Sequence, residues 1–333
     1  MIDFIKYRYV SLIVSGILFV VSVIALLTLG LKLGIDFTGG SLIELTFTKG
    51  RPTVEDIQKA FVPLNLGEVS VQPTKQESVL LRMRFITEEE HQKILTTLRT
   101  TFDIASATSS MKAVVMTSST GKASSTLTAM SKDTPAVYED NIQTIGSSVS
   151  SSLRTRAVQG SLAIIIAIIV YIAYVFRKIS RPVASWKYGI SAVIALLHDI
   201  VITMGVFAFL GRYAGVEVGI PFVVALLTVF GYSVNDTIVV FDRIRETLMR
   251  KRVERFDQLV NVAINETIMR SINTTLIVLI PLFALFFLGG ESIRYFAFAL
   301  LIGVTSGAYS SIFVASPLVV LWEAYDRKRK AKV

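Results

Sequence analysis

Six long, nearly uncharged stretches, one charged insert after the first of them, and basic residues confined to alternate loops mark this chain as an α-helical multi-pass membrane protein. The expected plan is six transmembrane helices, with a small ferredoxin-like α+β domain inserted after the first helix on the extracytoplasmic side. Of the 333 residues, 52% are hydrophobic and only 18% charged, a balance that soluble domains rarely carry. The charge is also uneven: residues 32–156 hold many charges and the long flanking stretches almost none.

A helix needs about 20 apolar residues to cross a bilayer. The first stretch lies between Tyr9 and Lys32, and the second runs from Ala157 to Phe176. Lys187 and Arg212 bound the third, Glu217 and Asp242 the fourth. The fifth lies between Arg270 and Glu291, the sixth between Arg294 and Glu323. The first is too long for the apolar core of a signal peptide, and no small-residue cleavage site follows it. These limits divide the chain into an N-terminal tail with the first helix (1–31), the insert (32–156), a five-helix membrane domain (157–323) and a basic tail (324–333).

The basic residues set the orientation. Lys6 and Arg8 precede the first stretch; Arg177, Lys178, Arg181 and Lys187 lie between the second and third. Arg243, Arg245, Arg250, Lys251, Arg252 and Arg255 lie between the fourth and fifth, and Arg327, Lys328, Arg329, Lys330 and Lys332 end the chain. These are alternate connections, so the positive-inside rule places all of them, and both termini, in the cytoplasm. The net charge of +9 is thus a topology signal. Nucleic-acid binding is disfavoured, because it needs a basic folded face with stacking aromatics. Cysteine is absent and decides nothing.

Within the insert, "SLIELTF" (Ser41–Phe47) alternates like a strand, and "TVEDIQKAFVPL" (Thr53–Leu64) carries a Thr cap and a helical apolar face. "EVSVQ" (Glu68–Gln72) and "SVLLRMRF" (Ser78–Phe85) read as strands, and Thr87–Phe102 as a second capped helix. A last strand within Val137–Ile145 completes a ferredoxin-like order. The Ser/Thr-rich stretch 107–133 is expected to be a flexible loop or loose hairpin. In the membrane domain, segment 243–269 alternates charged and apolar residues, as in a cytoplasmic amphipathic helix along the membrane surface; a solvated connector has a similar pattern.

Charges inside a membrane segment are costly and mark function by default. Asp199, beside His198, lies near the middle of the third stretch, and Asp236 in the cytoplasmic half of the fourth. Desolvation disfavours the charged form of a carboxyl and a nearby cation favours it. A carboxyl of this kind takes up a proton on one side and releases it on the other if a conformational change swaps its surroundings. The alternative is a polar contact that glues helices; for Asp199 and His198 both readings stay open, while for Asp236 the relay is preferred. Asn235 and Ser233 are its local polar neighbours, and Tyr232 lies one turn back on the same face. Arg270, which opens the fifth stretch, is the candidate cation, followed by Asn273 and Thr274. Arg243 is the rival, on the same face but about 10.5 Å along the axis. No Walker loop or nucleophilic triad is present, and two histidines, His91 and His198, do not make a zinc site. No catalytic residue, cofactor or metal is expected.

"GIDFTGG" after the first stretch and "GYSVNDTIVVFDRIRE" in the fourth, with six spans and an insert, resemble the SecF family of the resistance-nodulation-division superfamily over essentially the whole chain. That resemblance implies a non-enzymatic export subunit of the cytoplasmic (inner) membrane. It would work with SecD and the SecYEG channel, using protons to help unfolded preprotein across. It also implies a proton-relay role for Asp236, with Arg270, Thr274 and Asn235. Two features depart from the family: Ser147 stands where a Pro is common, and the 107–133 stretch is long. A proton-driven efflux subunit of the same superfamily, and a passive scaffold, are the competing functions.

Gly34, Asp36, Thr38, Gly39 and Gly40 fall between the first span and the first strand. A strand follows rather than a helix N-terminus, so a phosphate cradle is disfavoured. A tight turn that couples the insert to the membrane helices is the reading preferred.

Overall fold

The computed structural model describes residues 2–48, 50–67, 69–74, 77–110, 137–175, 183–250 and 255–330. It divides into two units: Met1–Gly34 with Thr155–Val333, and Ile35–Arg154.

The smaller unit opens with a one-turn helix α2 (Ile35–Thr38), where a turn was expected, and β1 (Gly40–Phe47). There follow α3 (Val54–Phe61), β2 (Ser70–Pro73), β3 (Ser78–Met83), α4 (Glu88–Ser110) and β4 (Val137–Ile145). The sheet order is β2-β3-β1-β4 and every pairing is antiparallel, so the unit is ferredoxin-like. Alternation along β1 turns Ile43, Leu45 and Phe47 inward, where they meet Leu81 and Val79 of β3 and Ile57, Phe61, Ile94 and Leu98 of the two helices. The register Ile43↔Leu81 and Leu45↔Val79 keeps these core residues on the covered face, and a one-residue slip would turn them to the other face.

Both helices start where their side chains satisfy free backbone donors. Thr53 caps α3 by accepting from the Asp56 N–H at 3.2 Å. At α4 the capping is reciprocal: Thr87 N–H donates to Glu90 Oε2 at 3.0 Å, and Glu90 N–H to Thr87 Oγ1 at 3.4 Å. Arg84 also donates to Glu90, and these bonds hold the Glu90 carboxyl below the ordinary glutamate range. Helix α4 runs eight residues beyond the expected end at Phe102, because no Gly or Pro occurs from Thr87 to Ser110. It thereby takes in residues 107–110 of the stretch read as a loop; residues 111–133 lie outside those described. Strand β3 stops two residues short of Phe85, where Ile86 buries and gives its N–H to Ser41 Oγ at 3.2 Å.

The two glycines before β1 are required by geometry. Gly39 and Gly40 have φ of +75° and +128°. A Cβ on Gly40 would lie 2.7 Å from the Met83 carbonyl oxygen, a backbone atom that cannot move aside without breaking the β1–β3 ladder.

The larger unit contains α1 (Arg8–Thr28), most of α5 (Ser147–Val175), α6 (Ser185–Tyr213), α7 (Ile220–Arg250) and α8 (Phe256–Leu288). It continues with α9 (Glu291–Ser310), a π-helical turn (Ser311–Ala315) and α10 (Ser316–Lys330). Among the described residues, six helices are long and apolar enough to cross a membrane, the last formed by α9, the π turn and α10 together. The described residues of the segment 243–269 do not form a separate surface helix. They complete α7 and begin α8, and the apolar residues Ile244, Phe256, Leu259, Val260, Ala263 and Ile264 bury in the helical core. The amphipathic pattern is real, and those residues of its apolar face meet other helices, while Met249 stays exposed.

Small residues set how closely these helices approach. A Cβ on Gly303 of α9 would fall 2.2 Å from Val229 Cγ2 of α7, and one on Gly307 would fall 3.0 Å from Ser233 Cβ. This Gly-x-x-x-Gly face lets α7 and α9 touch near the polar residues below.

Candidate intramembrane polar site

Asp199 is fully buried on α6. Its Oδ1 accepts from Ser306 at 2.8 Å and lies 3.0 Å from His198 Nδ1. Its Oδ2 accepts from Ser233 at 2.6 Å and from Ser310 at 2.7 Å. A buried carboxyl is tolerated only when its oxygens find partners, and three helices supply them here. His198 stacks on Phe19 of α1, with ring centroids 6.5 Å apart and planes 7° apart. The other ring nitrogen, Nε2, is buried with no hydrogen-bond partner among the described residues.

Asp236, on α7, is also buried. Ser271 of α8 donates to its Oδ1 at 2.7 Å, and Ser311, the first residue of the π turn, donates to its Oδ2. Across the π turn the Ser316 hydroxyl donates to the carbonyl of Ser311 at 2.9 Å. Adjacent residues of one segment thus hold the two acids: Ser310 binds Asp199 and Ser311 binds Asp236. Tyr232, one turn before Asp236, donates instead to Thr275 of α8 at 2.9 Å.

The expected pairing of Asp236 with Arg270 is not made in this structure. Ser271 takes that place, because α8 turns Thr267, Ser271 and Thr275 inward at four-residue spacing. Arg270 and Thr274 face outward and are exposed, and the Thr274 hydroxyl donates to the Arg270 carbonyl at 2.9 Å. Asn235 is exposed on the neighbouring face of α7. The rival Arg243 is engaged elsewhere, donating to Glu266 at 2.7 Å and to Glu246. Sequence reasoning missed Ser271, Ser306, Ser310 and Ser311. The hydroxyls at 306 and 310, four residues apart inside an apolar span, were the available signal.

The glycine-rich stretch falls in both units. In the larger one, Gly34 N–H donates to the Val218 carbonyl at 2.9 Å, and Val218 N–H to the Lys32 carbonyl at 2.8 Å. This isolated parallel bridge, Leu33↔Val218, ties the residues after α1 to the α6–α7 connection. A Cβ on Gly34 would sit 3.3 Å from the Val218 oxygen. In the smaller unit Asp36 and Thr38 belong to α2, and the Thr38 hydroxyl donates to the Gly39 carbonyl at 3.3 Å.

Residues 123–325 match the family described as protein export membrane protein SecD/SecF, C-terminal, and residues 24–50 match the SecD/SecF GG motif. The chain is 39% identical to the protein translocase subunit SecF of Thermobaculum terrenum, covering 98% of this chain and 95% of that protein. It is 37% identical to the SecF of Desulfurispirillum indicum, over 96% and 91% of the two chains. Among solved structures it resembles SecDF of Thermus thermophilus, a translocon-associated membrane protein, with a TM-score of 0.73 at 29% identity. That match covers 97% of this chain and 39% of the SecDF chain, so the chain spans about two fifths of that longer protein. Matched along nearly its whole length, and by its glycine motif as well, the chain belongs to the SecF branch of the SecD/SecF family of protein-export membrane proteins.

Proposed function

We propose that the chain pairs with SecD and uses the proton-motive force to promote late stages of preprotein translocation through the SecYEG channel. The observation that carries this reading is Asp236, a buried carboxyl in a membrane-spanning helix whose two described partners are neutral hydroxyls. Neutral donors stabilise the carboxylate and still allow it to gain a proton, whereas a fixed cation would oppose protonation. In this reading the membrane is the cytoplasmic (inner) one, with both termini inside, as the basic residues direct.

Arg270, Thr274 and Asn235 take part from the exposed face of α7 and α8. Exposed polar groups within a span are costly against lipid, which supports a partner helix over that face, and SecD is the partner proposed. The Gly34–Gly40 stretch acts as the junction through which the small domain follows the membrane helices. The preprotein is met by that domain on the outer side. An efflux subunit is not favoured, since the SecF relatives match over more than nine tenths of their length.

The test is export into inverted membrane vesicles containing SecD and the channel. Asp236→Asn is expected to leave the complex assembled and to abolish stimulation of export by a proton gradient. Normal stimulation by that variant would overturn the relay.

A further inference from the structure

The His198–Asp199 pair is not used by the mechanism above, yet its surroundings are unusual. Asp199 has no exposure, and three serine hydroxyls converge on it from two other helices. Among the described residues the one titratable group in contact with its carboxyl is His198 of the same helix. Helix α7 offers Ser233, with Asp236 one turn away; α9 offers Ser306 and Ser310, and its Tyr309 is occupied by Ser15 of α1. The Asp199 carboxylate is saturated, but His198 Nε2, buried under Phe19, has no hydrogen-bond partner among the described residues.

The serines are arranged to follow a change of protonation. Ser310 Oγ donates to Asp199 and also lies 3.2 Å from the Gly307 carbonyl. Ser311 Oγ donates to Asp236 and lies 3.1 Å from the Ala308 carbonyl. Each hydroxyl therefore has a second acceptor on its own helix. When a carboxylate gains a proton, a new O–H forms on the carboxyl; the serine hydrogen swings to the helix carbonyl, and its oxygen accepts the new O–H. No donor or acceptor of that pair is stranded in either state, which is what a reversible buried proton site requires.

Position supports the same role. Asp199 bonds Ser233 and Asp236 lies three residues further along α7, so the two sites are staggered by about 4.5 Å along that helix. Both are read by one segment, whose Ser310 and Ser311 straddle the change from α-helix to π turn. π turns occur often at functional sites.

We propose that the His198–Asp199 pair is a second proton-binding site of the membrane domain, coupled to Asp236 through Ser310 and Ser311. This rests on the proton-driven reading. Asp199 gains and loses a proton, His198 sets its charge environment, and the π turn carries the change to Asp236.

Infrared difference spectra of the purified full chain, between pH about 5 and 8, the range in which histidine titrates, read carboxyl protonation without transport. The expected result is a carboxylic-acid carbonyl band that Asp199→Asn removes, Ser310→Ala shifts and Asp236→Asn leaves in place. In vesicles with SecD, Asp199→Asn should lower proton flux by about 100-fold, the low end for loss of a proton-transferring group, and His198→Gln should alter its pH profile. Unchanged spectra in both Asp199→Asn and Ser310→Ala would overturn the proposal, as would an unchanged flux in Asp199→Asn. Should Asp199→Asn fail to fold, the Ser310→Ala shift and the His198→Gln pH profile decide the question. Full flux in Asp236→Asn, with the Asp199 band intact, would refute the Asp236 relay on which this proposal rests and leave Asp199 standing as a proton-binding site.

Discussion

Gly40→Ala tests the structural role of the glycine motif. Two costs add at this position. The φ of +128° lies where side chains are disfavoured by about 1–3 kcal/mol. The new Cβ would also stand 2.7 Å from the Met83 carbonyl oxygen, and forcing backbone apart in a packed region costs about 1–3 kcal/mol. The sum, about 2–6 kcal/mol, is a large part of the 5–15 kcal/mol that stabilises a domain. Gly50 separates the terms: its φ is +97°, but nothing lies within 4 Å of its Cβ position, so Gly50→Ala carries only the strain. Hydrogen exchange of the β1 and β3 amides in the full chain reads local opening free energy. Gly40→Ala is expected to lower protection more than Gly50→Ala, by the 1–3 kcal/mol of the clash. Equal shifts in the two variants would show that the Met83 contact does not explain the second glycine.

Ser271→Ala removes one of the two donors to the buried Asp236 and should destabilise the purified chain by about 1–3 kcal/mol. Arg270→Gln, on an exposed face, should change stability by no more than about 0.5 kcal/mol; thermal unfolding of both variants checks the contrast. Gly307→Leu should separate α7 from α9, since its Cβ alone would fall 3.0 Å from Ser233 Cβ; loss of the Asp199 infrared signature is the readout. In the small domain, bonds from Arg84 and the Thr87 N–H hold the Glu90 carboxyl low. A depressed folded value means stability that is present above the unfolded glutamate range, near 4.3, and is lost as pH falls below it. Glu90→Gln should flatten that part of the acid-unfolding curve of β1 and α4 followed by hydrogen exchange.

Much of this architecture was legible locally. Apolar length alone located the spans, because a bilayer crossing needs a run of uncharged residues that little else produces. The ferredoxin-like order was readable because strand alternation and helix caps are properties of a few consecutive residues: Thr53 and Thr87 cap as their neighbours require. The end of α4 differs from the expectation because a Ser/Thr-rich composition reads as a loop, although no Gly or Pro occurs between Phe102 and Ser110. The 243–269 segment shows a further limit. An amphipathic pattern announces a face to be covered, and lipid, another helix or solvent produces the same pattern.

The sequence by itself determined that Asp199 and Asp236 lie inside membrane-spanning helices, that a small domain follows the first span, and that a glycine motif lies between that span and the first strand. Only the tertiary structure decided which neighbours the two acids have. Arg270 and Ser271 are adjacent in sequence but point about 100° apart on a helix, and the rotation of α8 against α7 presents the hydroxyl to Asp236 and turns the guanidinium outward. Likewise nothing local joins Asp199 to residues 107 and 111 positions away. Those bonds depend on how α6 packs against α9, and a helix's partner is set by packing of whole faces rather than by any short run of residues.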